Sequence, residues 1–294
     1  MRSPRAALAA PLAAGAAAAD PQREFAFSRT DFEFLVQLAY EHAGICLSEG
    51  KRNLVYGRLS RRLRALGLTS FAEYRAHLGA DAAEIERFIN SISTNHTKFF
   101  REAHHFTHLA SVAQSFARGD HGARRLRIWS AGCSTGEEPY TIALVLRREI
   151  ADIARHDVRI LATDIDTDVL AKASRGEYAA DALDSIPDAY CRFFQPVNDA
   201  GSPATLRIAH EARSLITFRR LNLMQAWPMK GPFDAIFCRN VMIYFDNPTK
   251  SKLIERFVRL IKPGGWLYIG HSESLLGSHP GLHLMGRTIY RRDA

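Results

Sequence analysis

The chain has 294 residues, a formal net charge of +8 and a hydrophobic fraction of 47%, which allows one large domain or two small ones with a buried core. The positive charge favours an acidic partner, which could be nucleic acid, an anionic membrane surface or an acidic protein. The four cysteines have no CxxC spacing, which argues against a zinc site and a disulfide framework and is typical of a reducing compartment.

Residues 1–27 are predicted to form a disordered, alanine-rich tail. Pro11 and Gly15 interrupt the apolar centre that a secretory signal would need, so a tail is favoured over a signal peptide. No later segment approaches the roughly 18 uninterrupted apolar residues of a membrane span. We therefore expect no membrane insertion and a cytoplasmic location.

Residues 28–92 are predicted to form a small all-α domain that docks a partner. Thr30 is the candidate N-cap of its first helix. Further along, Val55, Leu59 and Leu63 recur at helical spacing, which indicates one buried stripe on an amphipathic helix.

The helix that carries this stripe is strongly basic. Between Lys51 and Arg64 it has six Lys or Arg residues and no Asp or Glu. Arg58, Arg61 and Arg64 are three residues apart and form a ribbon of one sign, which favours docking to an acidic surface. A solvated helix face without a partner is the alternative.

Residues 93–123 are predicted to be a linker and a connecting helix. Asn95, Thr97 and Arg101 lie within seven residues and can share one face of a loop-to-helix turn. A capped helix start is the alternative interpretation. The histidines that follow lack an HExxH pattern, so no metal site is predicted.

Residues 124–294 alternate strand-like and helix-like segments, which predicts a doubly wound parallel sheet. A long stretch after the second helix is more than one strand requires. We predict a small antiparallel β insertion at about residues 180–213, and closing strands at the end of the chain.

The first strand ends in "WSAGCSTGEEPY", where a parallel sheet binds its ligand. The glycine spacing is GxxxG, so it does not match the dinucleotide motif. Glu137 and Glu138 follow at once; they would repel a pyrophosphate and suit a ligand with a positive head. Acids that complement the helix dipole are the alternative.

The second strand ends in "ATDID", which places Asp164 where an acid can bind both hydroxyls of a ribose. Asp166 could instead cap the next helix. A ribose without a required phosphate favours S-adenosylmethionine over a nicotinamide dinucleotide, so a nicotinamide-dependent oxidoreductase is disfavoured.

The third and fourth strands also end in polar residues. Asn222 and Leu223 follow one strand, and Arg239 and Asn240 follow the other. Carboxamides can read the edge of adenine, and an apolar residue can cover its face. A turn residue at Asn222 and an ion pair at Arg239 with Asp164 or Glu138 are the alternatives. An unpaired buried charge is costly, so Arg239 must be held by something.

Five blocks together resemble the CheR family of chemotaxis-receptor glutamate methyltransferases: "STNHTKFFREAHHF", "STGEEPY", "ATDIDTDVL", "GPFDAIFCRNVMIYF" and "GHSESL". The resemblance covers about Phe32 to Tyr290. It implies an all-α domain, then a Rossmann-like α/β domain that uses S-adenosylmethionine and carries an inserted antiparallel β-subdomain. It also implies methylation of glutamate side chains on the cytoplasmic domains of methyl-accepting chemotaxis receptors, with S-adenosylhomocysteine as the second product.

The resemblance assigns single residues to the cofactor. Asn95, Thr97 and Arg101 match the motif that lies over its methionine end, and Asp164 matches the ribose acid. Glu138 matches a cofactor contact, although the adjacent Glu137 leaves that choice open. The residues that match the adenosine side are Asn222, Leu223, Arg239 and Asn240.

The resemblance also implies reaction and docking residues. Arg101 and Tyr244 match residues that position the reacting group, and Arg58 and Arg64 match basic residues that meet the receptor. Two other functions are kept as alternatives. One is an adaptor that binds S-adenosylmethionine without turnover. The other is a nucleic-acid methyltransferase, which is disfavoured because "RNVMIYF" has no proline pair.

Overall fold

A computed structural model describes residues 23–119, 125–197, 204–273, 275 and 279–293 of the chain. The predicted alanine-rich tail lies outside these residues up to position 22. In the part of the chain that is described, no helix combines the length and the apolar character needed to cross a membrane.

Four helices build the N-terminal part. They are α1 (Arg29–Ala43), α2 (Arg52–Leu66), α3 (Phe71–Ala80) and α4 (Ala82–Ile92). One apolar core joins them, in which Leu35, Leu59, Leu63 and Phe88 are completely buried. The predicted apolar stripe on α2 is therefore confirmed, and of the basic residues on that helix Arg61 and Arg64 are exposed.

The N-cap of α1 is Ser28, so the prediction of Thr30 is wrong. The Ser28 hydroxyl accepts a hydrogen bond from the Asp31 amide at 3.0 Å, and the Asp31 carboxylate accepts one from the Ser28 amide at 2.9 Å. This reciprocal capping box needs an acid or amide side chain three residues after the cap. Asp31 meets that condition for Ser28, and Thr30 lies inside the helix.

The rest of the chain alternates strands and helices. The elements are α5 (Ala103–Arg118), β1 (Arg125–Ala131), α6 (Glu137–Glu149), β2 (Asp157–Asp164), α7 (Thr167–Arg175), β3 (Glu177–Ala179), α8 (Asp188–Cys191), β4 (Phe194–Val197), β5 (Thr205–Ile208), α9 (His210–Arg213), β6 (Ile216–Arg220), β7 (Phe233–Cys238), α10 (Asn247–Leu260), β8 (Ile261–Ile269), β9 (Leu282–Gly286) and β10 (Ile289–Arg292). The main sheet has the order β6-β2-β1-β7-β8-β10-β9. The first five strands are parallel, and β10 and β9 close the sheet in antiparallel fashion.

This order confirms the predicted doubly wound sheet. The chain runs outward from β1 to β2 and β6, then returns to β7 on the other side of β1. Open α/β sheets bind ligands at such a reversal, outside the carboxyl ends of the strands. Side chains alternate across the sheet, so Ile128 and Phe237 join the core on one face, whereas Trp129 and Ile236 join the core on the other.

A second, small sheet has the order β3-β5-β4 and is antiparallel throughout. It lies in the chain between α7 and β6, which confirms the predicted antiparallel insertion. Its first strand begins at Glu177, shortly before the predicted start at residue 180.

The helical part contacts the carboxyl edge of the main sheet. The Cys46 amide donates to the Tyr244 carbonyl at 2.8 Å, and the Asn222 carboxamide donates to the His42 carbonyl at 2.5 Å. These bonds hold the end of α1 and the loop after it against the segments that follow β6 and β7. The two parts of the chain together enclose a cleft.

Candidate functional site

The cleft has a volume of about 1170 Å³, open solvent included, and lies at the carboxyl ends of β1, β2 and β7 and beyond β6. The linker after α4 and the loop after α1 form its other side. All ten residues that the sequence placed at the cofactor or the reacting group line it: Asn95, Thr97, Arg101, Glu138, Asp164, Asn222, Leu223, Arg239, Asn240 and Tyr244. Residues separated by up to 149 positions thus meet in one space.

The floor of the cleft is the turn after β1. Gly132 has φ +86°, and a Cβ atom there would lie 2.3 Å from Cγ2 of Val241. The amides of Gly132 and Cys133 both donate to the Thr163 carbonyl, at 2.8 and 2.9 Å. Only glycine fits this close approach at positive φ. The turn therefore packs directly on the segment that follows β7.

Of the two adjacent acids that the sequence left open, Glu138 lines the cleft. Its Oε1 accepts from the Ser130 hydroxyl at 2.7 Å, and its Oε2 lies 3.0 Å from Arg239 Nη1. Glu137 is absent from the lining and accepts from the Thr135 hydroxyl at 2.7 Å. Burial raises the pKa of Glu138, and the Arg239 guanidinium opposes that rise.

Arg239 is buried and held by two acids. Besides Glu138 it pairs with Glu102, whose Oε2 lies 3.4 Å from Nη2, and it donates to the Arg101 carbonyl. Its guanidinium also lies over the Phe106 ring, 5.3 Å from the centroid. The ion pair with Glu138 that was considered from the sequence is present. Arg239 thereby connects the sheet to the linker.

Glu102 lies outside the cleft lining but pairs with Arg239, which lines it, and the sequence reasoning missed this residue. It takes a left-handed backbone conformation at φ 58° as the N-cap of α5, and its Oε1 accepts from the His271 amide at 3.2 Å. Burial alone would raise the pKa of Glu102, but Arg239 and His271 outweigh it and lower that pKa. The signal was an acid inside the "FFREAHHF" block.

Glu273 was missed in the same way. Its carboxylate accepts from three backbone amides, those of Asn240 at 2.8 Å, Ile243 at 3.1 Å and Gly270 at 2.6 Å. Asn240 itself sits at φ 59°. Glu273 therefore fixes the loop after β7 that presents Asn240 and Tyr244 to the cleft. The acid within "GHSESL", just beyond an apolar strand, was the available signal.

Asp164 faces the cleft from the end of β2. Its Oδ2 accepts from the Ser134 amide at 2.8 Å, and its Oδ1 accepts from the Asp166 amide at 3.0 Å. Burial raises its pKa, and these backbone hydrogen bonds counteract the rise. Asp166 caps α7 by accepting from the amides of Asp168 and Val169, as one reading of the sequence expected. The two acids thus have separate roles.

Asn222 is both a turn residue and part of the lining. Its Oδ1 accepts from the Met224 amide at 2.9 Å, while Nδ2 contacts the helical part. Leu223 beside it is buried, and Ile165 lines the same end of the cleft. This end therefore combines apolar side chains with one carboxamide.

The other end carries cations. Arg101 donates to the His96 carbonyl at 2.9 Å, and Tyr244 donates to the Thr94 carbonyl at 3.3 Å. Lys51 Nζ lies 5.5 Å from the centroid of the Tyr244 ring. Among the described residues no carboxylate pairs with Lys51 or Arg101. An anionic group entering here would meet two cations.

The basic ribbon lies outside the cleft lining, and its members differ. Arg58 donates to the linker, and Arg64 pairs with Glu24 at 2.5 Å. Arg61 is exposed, and within the described ranges it forms no ion pair. The three arginines of the ribbon therefore differ in their contacts, although their spacing predicts one uniform basic face.

Glu102, His104 and His105 bring possible metal-ligand atoms within 4.8 Å of one another. The Glu102 carboxylate is already paired with Arg239, and a guanidinium at 3.4 Å opposes a metal cation at that oxygen. We therefore assign no metal to this group.

Comparison with known proteins agrees with this architecture. Residues 30–93 match the family model described as CheR methyltransferase, all-alpha domain, and residues 95–290 match that described as CheR methyltransferase, SAM binding domain. A chemotaxis protein methyltransferase 2 of Pseudomonas aeruginosa is 44% identical over 269 residues, covering 91% of this chain and 95% of the relative.

Two other relatives are named chemotaxis protein methyltransferase. That of Klebsiella aerogenes is 42% identical and covers 94% of each chain, and that of Escherichia coli is 43% identical and covers 90% of this chain and 91% of its own. With both domains matched and the cleft formed between them, this chain belongs to the CheR methyltransferase family and is an S-adenosylmethionine-dependent methyltransferase.

Proposed function

We propose that the protein transfers the methyl group of S-adenosylmethionine to glutamate side chains on the cytoplasmic domains of chemotaxis receptors. The observation that carries this proposal is the charge arrangement of the cleft. Buried acids lie at the sheet, and Lys51 and Arg101 lie toward the helical part without an acid partner in the described chain. Such a cleft suits a cationic cofactor and an anionic acceptor.

The residues present fit S-adenosylmethionine. Asp164 would accept from the ribose hydroxyls, and the Glu138 carboxylate, which also pairs with Arg239, would accept from the amino group of the cofactor. Asn222 and Leu223 provide a carboxamide and an apolar face for adenine. The turn after β1 holds no phosphate-binding glycine pattern, which agrees with a cofactor that has no pyrophosphate.

When bound, S-adenosylmethionine supplies an electrophilic methyl group on a sulfonium. A receptor glutamate carboxylate would attack the methyl carbon; the C–O bond forms, the C–S bond breaks, and its electron pair goes to sulfur. The products are a γ-glutamyl methyl ester and S-adenosylhomocysteine. Glutamate is ionised near neutral pH, so no general base is required.

The protein's part is alignment and removal of water. Arg101 and Tyr244 are proposed to orient the incoming carboxylate, because both line the cleft and both are fixed by hydrogen bonds to the linker. A carboxylate held too tightly by a guanidinium would be a poorer nucleophile. Arg101 already donates one hydrogen bond to the His96 carbonyl. Fewer of its donors are therefore available to the carboxylate, which limits the loss of nucleophilicity.

The docking face is proposed to be the basic ribbon of α2. Arg58, Arg61 and Arg64 are presented by the helix whose N-cap residue, Lys51, lines the cleft. An acidic receptor helix would be attracted to this face, and the attraction would weaken with added salt. Because the receptor domains are cytoplasmic, we propose the same location for the protein.

The test uses methyl-labelled S-adenosylmethionine and membranes that contain chemotaxis receptors. We expect label in a receptor-sized band and its release as methanol in mild base. The Arg101→Ala variant should lose this label, whereas Arg29→Ala, an exposed change on α1, should keep it. Cofactor binding without label on cognate receptors would reject methyl transfer and favour a binding adaptor.

A further inference from the structure

The linker segment 92–95 forms one wall of the cleft. It is held from the sheet side at three points. Tyr244 Oη donates to the Thr94 carbonyl at 3.3 Å, Ser134 Oγ donates to the Asn95 carbonyl at 2.9 Å, and Asn95 Nδ2 donates to Asp166 Oδ2 at 2.7 Å. The position of this segment therefore sets where Asn95 and the residues after it face the cleft.

Arg58 holds the same segment from the opposite side. Its Nη1 lies 2.5 Å from the Ile92 carbonyl and 2.9 Å from the Ser93 carbonyl, and its Nη2 lies 3.0 Å from Thr94 Oγ1. The two carbonyls belong to the last turn of α4, where carbonyl groups lack helical partners. A cation is favoured at that end of a helix.

The other two arginines of the ribbon have no such contact. Arg61 is exposed, and Arg64 pairs with Glu24. In the chain as described, no carboxylate contacts Arg58. Three residues that the sequence groups by spacing and charge therefore differ in what they touch, and only Arg58 of the three reaches the cleft wall.

We propose that Arg58 is a positioning residue for the cofactor cleft: it fixes the 92–94 wall through its guanidinium fork. This proposal rests on the proposed function in taking the cleft as the S-adenosylmethionine site. The proposed role depends on the planar geometry of the Arg58 guanidinium and not on its charge alone. A lysine at position 58 would keep the charge that an acidic receptor recognises, but an ammonium does not present donors in the planar fork that serves three acceptors.

The test measures binding of S-adenosylhomocysteine by calorimetry without receptor. We expect Arg58→Lys and Arg58→Gln to raise Kd about tenfold, because neither side chain presents the guanidinium fork that serves the three acceptors. Arg61→Lys and Arg61→Gln, on the same face of α2, should leave that Kd within about twofold. Kd values for Arg58→Lys equal to wild type would overturn the proposal.

One more variant, combined with Arg58→Lys, distinguishes a positioning role from a general loss of stability. Thr94→Val removes one acceptor of the fork and keeps the shape of the side chain. We expect the effects of Arg58→Lys and Thr94→Val on Kd to be non-additive, with unchanged thermal midpoints. Additive effects, or a Kd that changes only when the midpoint falls, would reject positioning.

These outcomes separate this proposal from the proposed function. If wild type binds S-adenosylhomocysteine but never labels receptors, the methyl transfer is wrong and the role of Arg58 is still judged by the binding data. If wild type does not bind S-adenosylhomocysteine, the cofactor assignment fails and the proposal for Arg58 fails with it.

Discussion

Glu138 and Arg239 form an ion pair that is almost completely removed from water. Arg239 Nη1 lies 3.0 Å from Glu138 Oε2, and the two side chains are 2% and 11% exposed. Removing one member of a buried pair leaves the other charge uncompensated. The pair joins the first turn of α6 to the end of β7, so it bears on stability and on the shape of the cleft.

We expect Glu138→Gln to lower the free energy of unfolding by about 3 kcal/mol and to weaken S-adenosylhomocysteine binding. Urea unfolding and calorimetry measure the two effects. Glu137→Gln is the matched control, because Glu137 does not line the cleft. The Thr135 hydroxyl, which donates to Glu137, can still donate to the carbonyl oxygen of a glutamine there. Equal effects of the two variants would contradict a special role for Glu138.

Tyr244→Phe should lower kcat about tenfold at saturating S-adenosylmethionine. It should raise Kd for S-adenosylhomocysteine less than Arg58→Lys does, because two other bonds still hold the linker segment from the sheet side. The variant keeps the ring that faces Lys51 and removes only the hydroxyl that contacts the Thr94 carbonyl. Single-turnover methylation of receptor membranes measures the chemical step. A rate equal to wild type would show that the hydroxyl has no part in aligning the carboxylate.

Lys51→Met should raise KM for the receptor about tenfold without changing kcat, because a cation at the mouth of the cleft is lost. The KM of the wild type should also depend more steeply on salt than that of the variant. Lys51→Arg keeps the charge and should restore most of the affinity. An unchanged KM in Lys51→Met would show that Lys51 does not contribute to receptor binding.

Stability should fall in acid because of His105. Burial, the Arg239 charge and His104 lower its pKa to about 3, against an ordinary value of 6.5, while Glu102 opposes that shift. Between these pH values the unfolded chain binds a proton that the folded chain excludes. The free energy of unfolding should therefore drop as pH falls from about 6.5 toward 3, by at most about 1.4 kcal/mol per unit.

The measurement is urea unfolding at several pH values in this window for wild type and His105→Gln. Glutamine can still donate to the Arg287 carbonyl that His105 contacts, and it does not titrate. The slope of stability against pH should be smaller in the variant. Parallel slopes would assign the acid sensitivity to other groups.

Much of the site could be predicted because its residues stand at strand ends. Asp164 follows β2 and Arg239 follows β7, and parallel strands bring their carboxyl ends to one edge. Strand periodicity and the position of a charged residue directly after a strand were sufficient for that inference.

Contacts that depend on side-chain direction could not be predicted. Spacing placed Arg58, Arg61 and Arg64 on one face, but only the packing of α2 against the end of α4 decides that Arg58 is engaged. For Glu102 and Glu273 the sequence offered only an acid inside a block that resembles the family. Their partners are backbone amides and a distant arginine, and a local pattern does not identify such partners.

The bonds between the helical part and the sheet domain have a consequence for recombination between relatives. The contact between the Cys46 amide and the Tyr244 carbonyl uses backbone atoms alone, so it is compatible with any residue other than proline at position 46. The Tyr40 hydroxyl, by contrast, donates to the Asp246 carboxylate at 2.8 Å and needs both side chains. A chimera that imports another helical domain would keep the first contact and would have to carry Tyr40 along.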